Sequence, residues 1–107
     1  MTTFDSRKDV AENKFAHDEA LLFKVTARRN KLLGQWAGEK LGKSGADLDT
    51  YAKSIVMADF EEAGDDDVLR KVLSDFTAAG VVQSEHQIRR TMDELLARAA
   101  DEIKAGT

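Results

Sequence analysis

The chain has 107 residues, a formal net charge of −4, a pI near 5.1, and neither proline nor cysteine. That length supports one domain near the small end of self-sufficient folding. The missing cysteine excludes a disulfide framework and a thiolate metal site, and the acidic balance gives no general attraction to nucleic acid. No apolar run approaches the roughly 20 residues that cross a bilayer, and the opening MTTFDSRKD has no hydrophobic stretch of the signal-peptide kind, so a cytoplasmic protein without membrane insertion is expected.

The first dozen or so residues carry only Phe4 and Val10 as sizeable apolar side chains among many charges, which predicts a weakly ordered, mobile or partly helical arm over residues 1–19. From Leu22 onward the pattern changes. Leu22, Val25, Leu32, Leu33, Trp36 and Leu41 recur at helical spacing and predict a long first helix with one core-facing side, ended near Leu41 by Gly42 and the turn Lys43-Ser44-Gly45. A second helix opens near Asp47, with Leu48, Tyr51, Ala52, Ile55, Val56 and Ala63 as its inner face, and stops at Gly64. Asp65-Asp66-Asp67 then supply carboxylates for the exposed N–H groups of a third helix, which carries Val68, Leu69, Val72, Leu73 and Phe76 and stops at Gly80. Ser84 with Gln87 makes a capping-box signature for a fourth helix lined by Ile88, Met92, Leu95, Leu96, Ala99 and Ile103. No segment sustains period-two alternation, so the fold class is all-α: a small four-helix bundle over residues 20–107, with a long first helix preceded by the arm.

The dense basic cluster lies on the first helix. Helical spacing puts Lys24, Arg28, Lys31 and Gln35 on one outward stripe, fit to hold the phosphates of a nucleotide or the carboxylates of a partner, though the same run also reads as a solvated helix face. Arg29 is rotated toward the core, where a charge is tolerated only when paired and hydrogen-bonded. Asp59, on the inner side of the second helix, is its expected partner, with Asp75 as a second candidate. Trp36 reads as core, with stacking against an adenine ring as the alternative. His17 lies beside Asp18 and Glu19, which would favour its protonated form; an ordinary surface histidine is the plainer account. For catalysis the chain is poor: it has no G-x-S-x-G, H-E-x-x-H, G-x-x-x-x-G-K-[ST] or G-x-G-x-x-G, and two isolated histidines make no metal site. A non-enzyme with no required cofactor and no metal is expected.

Lys14-Phe15-Ala16-His17-Asp18-Glu19, then Ala27-Arg28-Arg29-Asn30-Lys31-Leu32-Leu33-Gly34, Trp36-Ala37 and the run Val56 to Gly64 together resemble the ζ subunit of α-proteobacterial F1 ATP synthase, over nearly the whole chain. The resemblance implies a four-helix inhibitor of ATP hydrolysis by F1, peripheral to the inner membrane through F1 and monomeric when free. It further implies ADP or ATP as a regulatory ligand and an inhibitory N-terminal segment. That segment maps onto Phe4, Arg7, Lys8, Val10, Ala11, Lys14, Phe15 and His17, and would enter a cleft between the catalytic subunits (alpha, beta) and the rotor subunit (gamma). A nucleotide site is expected around Lys24, Arg28, Lys31 and Gln35. The rival from another class is a helical adaptor or scaffold that binds a different protein through the basic stripe.

Overall fold

In a computed structural model, the described backbone covers residues 3–59 and 65–106, and the described side chains are those of residues 20–59 and 65–106. Four helices follow one another: α1 (Thr3–Lys40), α2 (Gly45–Ala58), α3 (Asp66–Ala79) and α4 (Glu85–Lys104), with no strand among the described residues. The all-α bundle with a long first helix is therefore the observed architecture. The assignments made to the side chains of residues 1–19, and those of Ala63 and Gly64, lie outside the described residues.

Helix ends follow from local chemistry. At the end of α1, Gly42 takes a left-handed φ of 82°, which lets Lys43 N–H reach the Gly38 carbonyl at 2.9 Å and Gly42 N–H reach that of Glu39 at 3.0 Å. These are the two bonds that satisfy the last orphan carbonyls of a helix. Gly80 repeats the device with φ 74°, and Val81, which follows it, packs on the core. Ser84 and Gln87 form the expected reciprocal box: each side chain accepts from the other's backbone N–H, at 3.1 and 2.8 Å.

Two boundaries differ from the sequence expectation. The second helix opens two residues early, at Gly45 behind an extended Ser44, and it stops at Ala58 with Asp59 as its C-cap. The acidic triplet also behaves differently. Asp65 is the N-cap of α3, yet its side chain makes no capping hydrogen bond; an arginine claims it, as described below.

The core gathers Leu33 and Ala37 of α1, Tyr51 and Ile55 of α2, Val68, Leu69, Val72 and Phe76 of α3, and Ile88 and Met92 of α4. Helices α2 and α4 pack along α1, which touches α3 less. Trp36 is half-buried against this cluster, its ring 5.6 Å from that of Phe76 in an edge-on arrangement, the geometry aromatic pairs prefer; the core reading of Trp36 is the observed one. Leu22 departs from the sequence expectation: it is 60% exposed, whereas Val25, one turn later, is buried. The packed part of α1 starts later than its apolar periodicity suggests.

Candidate functional site

Most of the predicted functional residues lie on α1, so the neighbours of that helix decide what each is free to do. Arg29 is 2% exposed, a guanidinium inside the bundle. Its Nη2 donates to Asp65 at 2.7 Å, its Nη1 to the other Asp65 oxygen at 3.5 Å, and its Nε to the Asn30 side-chain carbonyl at 2.8 Å. The partner is thus Asp65 and not Asp59. The expectation of a paired buried arginine is met by a carboxylate six residues further on: α2 ends at Ala58, and Asp65 is the N-cap of α3. Asp75, the second candidate, accepts instead from the Tyr51 hydroxyl at 2.7 Å and from Lys71 at 3.2 Å. Burial, reinforced by that carboxylate, holds the Tyr51 hydroxyl well above the ordinary phenol range.

The three aspartates at the head of α3 serve three arginines. Asp65 holds Arg29 of α1, Asp66 holds Arg89 of α4 at 2.9 Å, and Asp67 pairs with Arg70 of its own helix. The Asp66 carboxylate raises Arg89 above the usual guanidinium range. The α3 N-terminus is therefore tied to two other helices by charge as well as by its apolar face.

The outward stripe divides between neighbours. Arg28 donates through Nε to Glu102 of α4 at 2.8 Å, and Arg98 donates to the other Glu102 oxygen at 3.1 Å. The Arg28 hydrogen bond, then that of Arg98, holds the Glu102 carboxyl below its ordinary value. A carboxylate depressed in the folded state adds stability above its unfolded pKa, and that stability is lost as pH falls through the folded value. The α1–α4 clasp should therefore loosen only below the usual carboxylate range of about 4.3. Hydrogen exchange at the end of α4 should show this acid-dependent loss in the wild type, and Glu102→Gln should exchange faster already at neutral pH; identical protection in both at every pH would remove Glu102 from the clasp.

Lys24 and Lys31 are exposed and Gln35 is half-buried. Lys31 alone of the stripe lines a groove of about 550 Å³ between α1 and α2, together with Asp49, Ala52, Lys53, Val56 and Met57. Its walls are close because Gly34 lies directly against Ala52. The structure thus brings Lys31 together with Lys53, which the sequence reading did not single out, and sends Arg28 to the α4 side. The signal for Lys53 was its helical spacing from Asp49 and Val56 on α2; the approach of that face to Lys31 was not legible in one sequence. A second hollow, of about 460 Å³, lies near the α1–α2 turn, where Lys43 and Lys71 each stand 5.6 Å from the Tyr51 ring.

Among the described residues, no group of three histidine or carboxylate side chains converges as a metal site, and no helix is long and apolar enough to cross a membrane. Among curated proteins none matches the chain significantly. A protein whose structure was solved by NMR in solution is 45% identical to it and superposes with a TM-score of 0.70, over 79% of this chain and 96% of that one. The family model described as ATPase inhibitor subunit zeta matches residues 1–102. With a match that runs from the first residue to within two residues of the end of α4, the chain belongs to the family of the ATPase inhibitor subunit zeta and is a regulatory, non-catalytic protein associated with ATP synthase.

Proposed function

We propose that this chain blocks ATP hydrolysis by inserting its N-terminal residues 1–19 into the cleft between the catalytic alpha and beta subunits and the rotor gamma subunit of F1, while the bundle stays outside. The observation that supports this reading is the exposure of α1 where its described side chains begin: Leu22, Phe23 and Lys24 are exposed and Val25 is buried, while the sequence ahead of Ala20 carries few sizeable apolar side chains. Phe4, Val10, Ala11 and Phe15 are then the apolar anchors for the partner, in the manner of an amphipathic helix laid into a groove, and Arg7, Lys8, Lys14 and His17 are its polar flank.

Replacing Phe4 and Phe15 together by alanine in the full chain is expected to raise the concentration for half-inhibition of cognate F1 at least tenfold, with the thermal melt unchanged. Undiminished inhibition would reject the arm as the inhibitory element. A binding partner other than F1, held through the basic stripe, would mark the chain as a helical adaptor.

Modulation by ADP or ATP is best supported at the α1–α2 groove. Lys31 and Lys53 offer two ammonium groups for phosphate above an apolar floor of Ala52, Val56 and Met57, whereas Arg28 is engaged with Glu102. A nucleotide alters inhibition only if it binds the free and F1-bound states with different affinity. Added ADP should move the amide resonances of Lys31 and Lys53, and Lys53→Ala should weaken that response several-fold; shifts confined to other surfaces would reject the groove.

A further inference from the structure

Near the start of the described side chains of α1, Leu22 presents 60% of its surface to water and Phe23 58%. Helix α4 ends at Lys104, and the Arg28–Glu102 clasp marks how far its last turn reaches along α1. Exposed apolar side chains are ordinary on a surface helix, but Leu22 is in register with the arm. Phe4, Ala11, Phe15 and Leu22 are separated by 7, 4 and 7 residues. At 3.6 residues per turn that spacing places them on one stripe roughly 40° wide, and α1 runs from Thr3 to Lys40 without a break. Resting on the arm-insertion reading above, we infer that the F1-binding surface runs past residue 19 onto the base of α1 and includes Leu22.

The occupant is the mouth of the F1 cleft, and the sequence says what its chemistry must be. Helical spacing sets Asp18 to one side of the Phe15–Leu22 stripe and Glu19 to the other. A complementary slot therefore has an apolar floor for Leu22 and basic groups along both rims. A second copy of this chain fits worse, because pairing the stripe with itself would bring these carboxylates toward one another across the seam. Insertion that buries Leu22 also fixes how deep the arm can go: the helix enters until the bundle, beginning at Val25, meets the rim.

The test is Leu22→Ser in the full-length protein, assayed against cognate F1 hydrolysis beside Val82→Ser, whose parent side chain is 92% exposed in the α3–α4 connection. The concentration of Leu22→Ser for half-inhibition should rise about tenfold, the cost typical of an interface side chain that matters, while its melting temperature and the potency of Val82→Ser stay at wild-type values. If Leu22→Ser inhibits like the wild type while the Phe4/Phe15 double variant does not, the extension is overturned and the arm reading survives. If the double variant inhibits normally, the arm reading fails, and a weakened Leu22→Ser then leaves the Leu22 contact standing by itself. Sedimentation closes the remaining route: a wild-type dimer that Leu22→Ser turns into a monomer assigns the residue to self-association and overturns the proposal.

Discussion

Asp65→Ala is expected to destabilise the fold by about 3 kcal/mol, while Asp59→Ala changes it by less than about 0.5 kcal/mol. The asymmetry follows from where the two charges of the pair lie. Arg29 is almost wholly enclosed, and its side-chain exposure of 2% contrasts with 48% for Asp65. Removing the carboxylate strands a cation inside the bundle, with only the Asn30 carbonyl left among the partners described above. Breaking a fully buried pair costs about 3 to 5 kcal/mol; half-exposure of Asp65, which lets water partly replace it, puts this case at the low end. Arg29→Met removes the charge itself and keeps much of the volume, so it should cost less than Asp65→Ala, and in the double variant the aspartate deletion should add little. Chemical denaturation of the four proteins measures this directly. Additive effects in the double variant, or an Asp59→Ala loss as large as that of Asp65→Ala, would break the assignment.

The partner of Arg29 also marks the limit of what a single sequence makes legible. That a charge at this position on α1 needs a carboxylate follows from periodicity and the cost of burying an ion, and both hold. Which carboxylate depends on where α2 stops. Apolar spacing carried through to Ala63 made Asp59 an inner-face residue, whereas the helix ends at Ala58, and the carboxylate that reaches Arg29 is that of Asp65 at the head of α3. The boundaries at Gly42, Gly80 and Ser84 were legible for the opposite reason. Left-handed glycines and the capping box act within a few residues and need no tertiary partner. Spacing alone put Arg28 and Lys31 on one stripe, yet α4 captures the first and the α1–α2 groove the second, a division set by where those helices pack. Leu22 shows the same limit from the other side: its periodicity is that of a core residue, yet it is exposed.

Gly34→Val should be the most damaging single substitution on α1 outside the apolar core, with an expected loss of about 3 kcal/mol. A Cβ at position 34 would stand 2.5 Å from the Ala52 Cα and 3.2 Å from its carbonyl oxygen. Those are backbone atoms, so no rotamer change relieves the clash, and α1 and α2 must separate along their contact. In a solvated helix, glycine to alanine is worth about 1 kcal/mol in favour of the variant, and the sign at Gly34 is therefore diagnostic: Gly34→Ala should destabilise despite its better propensity. Gly38, one turn on, offers an internal comparison. There the nearest atom to a new Cβ is the Leu48 Cδ1 at 2.5 Å, the far end of a flexible side chain, and the Tyr51 ring follows at 3.3 Å. Gly38→Ala should consequently cost less than Gly34→Ala. Ala52→Gly would not restore Gly34→Val, because removing the Ala52 Cβ leaves its Cα and carbonyl in place. The same spreading would part the walls of the groove that holds Lys31 and Lys53, so a folded Gly34→Ala protein should lose its amide response to ADP while still inhibiting F1 through the arm. Thermal melts and nucleotide titrations of the two alanine variants decide it: a more stable Gly34→Ala would mean that the helices do not approach this closely, and an unchanged ADP response would place the ligand elsewhere.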